Sequence, residues 1–161
     1  MILDKDIQSP LIYKGEEYPD YGVHKKLGGI YSKKVGGSKT KIGVWKKMAG
    51  ATNSTSKLIK AGKKGYLKTR ISPKKGKIKN VYIHIATHET LNPELPPPPG
   101  IHETIWRTTH PSVKKLLRDI YQVNHINHDT TDYSPENLEW VTAQENVDSY
   151  QVYYKSQKEA A

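Results

Sequence analysis

The stretch from Gln122 to Asn146, QVNHINHDTTDYSPENLEWVTAQEN, gathers His, Asn, Asp and Glu side chains between two short apolar runs. His125 is a candidate general base, because an imidazole with an unperturbed pKa of about 6.5 can take a proton from water near neutral pH. Asn124 beside it and Asn146 farther along offer hard, uncharged oxygen ligands. Such ligands suit Mg²⁺, which keeps most of its waters and completes its shell with substrate phosphate oxygens. A base and a bound cation together provide a route to phosphate-ester hydrolysis that needs no nucleophilic cysteine, and the chain has no cysteine.

The elements that must hold these residues follow from the flanking pattern. Tyr121 to His125 and Leu138 to Val141 are β-prone, a polar loop separates them, and a helix start follows, so the order is strand, loop, strand, helix. Thr142-Ala143-Gln144-Glu145 is a capping box: the Glu145 backbone N–H donates to the Thr142 hydroxyl while the Glu145 carboxylate reaches back. Beyond it, Val147, Tyr150 and Tyr154 form a stripe predicted to pack on the hairpin, with Asn146 one turn inside the helix. Ser134-Pro135 reads as an N-cap followed by proline at the first helical position, so one turn is expected over Pro135 to Asn137, aiming Asn137 back at the first strand. Asp129 and Asp132 read as solvated loop carboxylates, adding charge to a metal site only if the loop folds inward.

Asn124-His125-Ile126, then Glu136-Asn137-Leu138-Glu139-Trp140-Val141-Thr142, then Glu145-Asn146 resemble the phage-type HNH endonucleases and their ββα-metal finger. Similar proteins read approximately VNHIDGNKTNNRPENLEWVT, which matches Val123 to Thr142 in length. The resemblance implies that His125 is the general base, that Asn137 orients it, and that Asn124 and Asn146 hold the metal. That metal is expected to be Mg²⁺, with Mn²⁺ as an alternative. The loop departs from the pattern, with Asn127 for Asp, His128 for the turn Gly, and Asp132 and Tyr133 for two Asn. With Asn at both ligand positions no formal negative charge reaches the metal, so DNA phosphate is expected to supply most of its binding energy.

A length of 161 residues with 35% hydrophobic content suits one domain or two small modules. No apolar run approaches the roughly 20 residues that span a bilayer. The opening MILDKDIQSP lacks a signal-peptide pattern, so a cytosolic protein without membrane contact is expected. The absence of cysteine excludes disulfides, thiol catalysis and cysteine-ligated structural zinc. Lys+Arg of 26 against Asp+Glu of 16, a formal charge of +10, produces a field that attracts polyanions. Because most of the lysines lie between Lys25 and Lys79, the binding arm is expected in the N-terminal half.

Tyr18 to Lys33 alternates around Gly28-Gly29 as a small hairpin would. It resembles the short module that often precedes phage HNH nucleases, through Tyr21, Val23, Gly29 or Gly28, Ile30 and Ser32, with His24 in place of Ser. Val35 to Gly65 reads as an irregular insert, in which Trp45 is either a base-stacking residue or a core anchor. Gly65 to Ile71 and Lys77 to Ile85 read as a second hairpin. Lys68, Arg70, Lys77 and Lys79 are expected together on its polar face, where they and His84 are the candidate nucleic-acid-binding residues. HIATHETL, His84 to Leu91, resembles the family's HRLVAETF segment and is expected to begin a short helix. His84 and His88 stand four apart, but without a third ligand at readable spacing they are not read as a zinc site. Pro93 to Gly100 reads as an extended spacer. Pro111 to Ile120 reads as an amphipathic helix with Val113, Leu116, Leu117 and Ile120 on one face. The tail after Tyr154 is expected to fray.

The expected fold is α+β: N-terminal antiparallel β hairpins in a basic DNA-binding region over 1–91, a spacer and helix over 92–121 that look inserted relative to the family, and the ββα-metal HNH unit over 122–161. The expected function is metal-dependent hydrolysis of double-stranded DNA, nicking one strand per visit, by a monomer or weak homodimer. The rival readings are a non-catalytic DNA-binding protein on a degenerate scaffold and a basic RNA-binding or assembly protein.

Overall fold

The computed structural model describes residues 2–33, 44–51, 65–74 and 77–159. Much of the segment read as an irregular insert, and the turn at 75–76, lie outside these residues. The described chain is a mixed α+β structure. It opens with the short strands β1 (Ile7–Gln8), β2 (Leu11–Tyr13), β3 (Glu16–Tyr18), β4 (Tyr21–His24), β5 (Ile30–Ser32) and β6 (Lys46–Lys47). A longer hairpin, β7 (Lys68–Lys74) and β8 (Lys77–Tyr82), runs directly into helix α1 (Ile83–Leu91). Two short helices follow, α2 (Glu103–Thr108) and α3 (Pro111–Leu116), then β9 (Tyr121–His125), β10 (Leu138–Thr142) and α4 (Ala143–Glu159).

β1, β4, β5 and β6 form one sheet, in that order, and β2–β3, β7–β8 and β9–β10 are separate antiparallel pairs. The hairpin expected around Gly28-Gly29 is β4–β5, with Val23 opposite Ile30. Gly28 has φ +64°, and a Cβ there would collide with the Tyr133 carbonyl oxygen. Glycine is therefore what lets this turn touch the loop between β9 and β10. Trp45 is a core anchor: it is buried with Ile7 and Tyr31, and its indole N–H donates to Asp4 at 2.7 Å.

The main core surrounds α1, which packs against β2, β4, β5, β8, β9 and β10. Of its nine residues, seven are buried, and five of those are polar: His84, Thr87, His88, Glu89 and Thr90. Burying polar groups costs free energy unless each finds a partner. Thr87 Oγ1 accepts from the Gly29 N–H at 3.2 Å, and Thr90 Oγ1 accepts from the Ile12 N–H at 2.9 Å. Glu89 is ion-paired with Arg118. Burial pushes the Glu89 carboxyl pKa up, while the Arg118 guanidinium and the backbone N–H groups of Lys14 and Gly15 pull it down.

The segment 92–121 departs from its reading as a spacer followed by one amphipathic helix. It contains α2 as well, and α3 ends at Leu116 before a 3₁₀ turn over Leu117–Ile120. Leu116 is 80% exposed, and Val113 and Ile120 are also exposed, so the apolar stripe is not what anchors the segment. Polar contacts do that: the Trp106 indole donates to the Leu95 carbonyl at 2.7 Å, the Tyr121 hydroxyl donates to the Pro96 carbonyl at 2.8 Å, and Arg118 reaches Glu89. Arg118→Ala leaves a buried carboxylate without its cation and is expected to cost about 3–5 kcal/mol. Urea unfolding measures this, and Glu89→Gln/Arg118→Leu, which removes both charges, is expected to recover most of the loss.

Candidate active site

β9 and β10 pair with His125 opposite Leu138, Asn124 opposite Glu139 and Val123 opposite Trp140. Side chains alternate across a strand, so the hairpin has two distinct faces. Val123, His125, Leu138 and Trp140 share the face turned to α1, where His84 packs on His125 with ring centroids 4.7 Å apart and His88 meets Trp140 edge-on at 5.1 Å. Gln122, Asn124, Glu139 and Val141 share the other face. There Asn146, on the first turns of α4, donates to the Gln122 side-chain oxygen at 2.8 Å.

His125 is 3% exposed, and its Nε2 has no hydrogen-bond partner among the described residues. Burial lowers its pKa, the Asp132 and Asp129 carboxylates oppose that, and His128 adds to the lowering. The ring is held neutral, as a proton acceptor must be. Asn137 lies at the end of the expected turn, which is 3₁₀ over Pro135–Asn137. Its Nδ2 donates to Asn127 Oδ1 at 3.0 Å and to the Asp132 carbonyl at 2.9 Å, its Oδ1 accepts from the Asn127 N–H at 2.9 Å, and its own carbonyl accepts from the Ile126 N–H at 2.9 Å. One side chain and its backbone thus close the loop that leaves His125. The Ser134 side chain does not cap the turn. Its hydroxyl donates to Asp132 at 2.6 Å instead.

Asn124 Nδ2 donates to Glu139 Oε1 at 3.0 Å. Both candidate ligand amides therefore bond through nitrogen, which leaves each Oδ1 as the oxygen available to a hard cation. Among the described residues no group of three or more His, Cys, Asp and Glu side chains is arranged to hold a metal. The loop carboxylates bond locally: Asp129 accepts from Thr131 N–H and Oγ1 at 2.9 and 2.6 Å, and Asp132 Oδ2 accepts from Asn127 Nδ2 at 2.8 Å.

Thr142 and Glu145 form the capping box, with the Thr142 N–H donating to Glu145 at 2.7 Å and the Glu145 N–H donating to Thr142 Oγ1 at 3.3 Å. The helix beyond it contacts both strands of the hairpin, but the stripe is only partly covered: Val147, Tyr150 and Tyr154 are each about half exposed. Tyr153 links helix to loop, stacked on His128 at 4.2 Å. His128 has φ +59°, the left-handed conformation that glycine adopts most easily. α4 continues to Glu159, so the helix includes the residues expected to fray.

The candidate nucleic-acid contacts are divided. Register pairs Arg70 with Asn80 and Ile71 with Lys79, so Lys68 and Arg70 lie on one face and Lys77 and Lys79 on the other. The expectation of one face missed this because the hairpin register sets even residues of β7 against even residues of β8. Arg70 and Lys77 are exposed. Lys68 sits 4.4 Å above the Tyr82 ring, and Lys79 is ion-paired with Glu16 at 2.7 Å. His84 is not on a solvent face: it is 6% exposed, and burial, with His125 adding to the effect, lowers its pKa to about 3. Sequence reasoning missed Tyr66, stacked on His84 at 4.8 Å, and the amide partners Gln122 and Glu139. Strand alternation from Asn124 carried a signal for Gln122, whereas nothing in the lysine-rich run around Tyr66 set it apart.

Residues 100–148 match the family model described as HNH endonuclease. No curated protein and no solved structure matches the chain. The matched span contains β9, the loop, β10 and the start of α4, and it opens upstream of them to include α2 and α3, within the segment set apart above as inserted. The match supports an HNH nuclease.

Burial lowers the His88 pKa to about 4. The unfolded chain binds protons on His84 and His88 below about pH 6.5 while the folded chain does not, so stability is fully present above that pH and falls as the pH drops toward 4. Each histidine adds up to about 1.4 kcal/mol per pH unit to the slope. Denaturant unfolding between pH 7 and 5 tests this, and His88→Leu is expected to flatten the dependence.

Proposed function

We propose that the protein is a divalent-metal-dependent endonuclease that hydrolyses phosphodiester bonds in double-stranded DNA, of the phage HNH kind. The observation that carries this reading is His125, whose pKa is lowered by burial, at the end of a strand whose following loop is closed by Asn137, within the segment that matches the HNH model. His125 takes a proton from the attacking water, and Asn137 keeps the loop behind it fixed. A divalent cation, Mg²⁺ or Mn²⁺, held by the Oδ1 atoms of Asn124 and Asn146, would supply charge neutralisation for the phosphate and the departing 3′ oxygen. Arg70 and Lys77, with Lys68, contact backbone phosphates, each contact steepening the salt dependence of binding. One site per chain nicks one strand per visit, by a monomer or weak homodimer.

Supercoiled plasmid incubated with Mg²⁺ or Mn²⁺ is expected to become nicked, and EDTA to prevent it; plasmid left intact in both metals counts against catalysis. His125→Ala is expected to lower the cleavage rate by about 10²–10⁴-fold with DNA affinity nearly unchanged, and a variant that cuts at the parental rate removes His125 from the mechanism.

The ligand assignment has its own test. Neutral amides attract Mg²⁺ weakly, so calorimetry without DNA is expected to show little heat at millimolar metal. Asn124→Asp is expected to lower the metal concentration for half-maximal cleavage, and an unchanged requirement takes Asn124 out of the ligand set.

A further inference from the structure

Two buried histidines stand one helical turn apart on α1, and their ring neighbours differ. His88 packs edge-on to Trp140. His84 packs on His125 at 4.7 Å with the planes 45° apart. Tyr66 spans both rings, stacked on His84 at 28° and on His125 at 5.8 Å and 29°, and Tyr82 closes the far side of His84 edge-on at 5.8 Å.

A general base is normally aimed by a hydrogen bond to a third group, yet Nε2 of His125 has no such partner among the described residues. With Nε2 unbonded, packing against the ring takes a larger share in holding its rotamer. The rings of His84 and Tyr66, 4.8 Å from each other and therefore on the same side of His125, pack against it at separations where aromatic contacts are attractive and geometrically selective. A small misplacement of a reacting group can cost about 10²-fold in rate, so the packing around His125 has a direct kinetic consequence.

Resting on the nuclease reading above, we propose that His84 is a positioning residue: with Tyr66 it forms an aromatic clamp that fixes the ring plane of His125 for proton abstraction. It acts only through His125. The clamp also ties the catalytic hairpin to β8, since His84 is the second residue of the helix that β8 runs into. The ring that aims the base therefore belongs to the DNA-facing half of the chain.

The test uses the full chain with His84→Ala, His84→Phe and His88→Ala, reading kcat, KM for DNA, the melting temperature and the NMR signal of His125 Hε1. His84→Ala is expected to lower kcat at least about tenfold while KM shifts less than about twofold. His84→Phe, which returns an aromatic ring, is expected to recover most of that rate. His88→Ala serves as the control for lost packing on the same helix: its melting temperature is expected to drop about as far, with kcat little changed. A parental kcat in His84→Ala, or an equal loss in His88→Ala, overturns the proposal, as does a loss in His84→Phe as deep as in His84→Ala. If the parental protein leaves plasmid intact in Mg²⁺ and Mn²⁺, or His125→Ala cuts at the parental rate, it is the nuclease reading or its base that fails. The NMR signal then decides the clamp alone: a His125 Hε1 shift that moves in His84→Ala and stays near the parental value in His84→Phe supports it, and one that ignores both substitutions overturns it.

Discussion

The structure depends on a helix that is buried on nearly every side yet is half polar. α1 cannot be placed by apolar contact alone, because five of its buried residues each require a particular neighbour. Thr87 takes the β4–β5 turn, Thr90 takes β2, Glu89 takes Arg118, and the two histidines take the β9–β10 hairpin. Each of these is short-ranged or directional, so together they set where every surrounding element sits. An apolar helix of the same length would allow its neighbours to slide; this one fixes them.

The β9–β10 hairpin uses its pleat to separate two environments. One face is dry and aromatic and presents His125 to α1, and the other is more polar and presents Asn124 beside Glu139 and, through Gln122, Asn146. The proposed base lies in the first environment, where desolvation favours its uncharged ring, and the proposed oxygen ligands lie in the second, beside the polar side chains of Glu139 and Gln122. Adjacent residues on one strand obtain opposite surroundings because the side-chain period is two.

The hairpin, the capping box, the turn before Asn137 and the short helix after β8 were legible in the sequence, because each is specified by residues close together in the chain. What was not legible depends on distant partners. Arg118 reads as one cation in a basic helix until Glu89 is seen opposite it, and Tyr66 reads as one residue of an alternating strand until its ring is seen across two histidines. The expectation that Lys68, Arg70, Lys77 and Lys79 share one face failed for a different reason. Alternation gives the faces of each strand separately, but only the register says which faces coincide. His84 was misplaced because a residue at a strand end carries no local mark of burial when the group that covers it lies in another hairpin.

The polar half of α1 has a consequence for how the chain assembles. Its partners Arg118, His125 and Trp140 all lie far downstream, so a chain that stops before them would hold a helix whose Glu89 lacks its cation and whose histidines lack the β9–β10 hairpin. Contacts of such long sequence separation are slow to form and leave partly folded states open to misassembly. Residues 1–91 supply the main apolar core among themselves, while the ion pair of Glu89 and the packing of His84 and His88 on the hairpin come only from residues beyond Leu91, so the two halves of the chain share one helix as their seam.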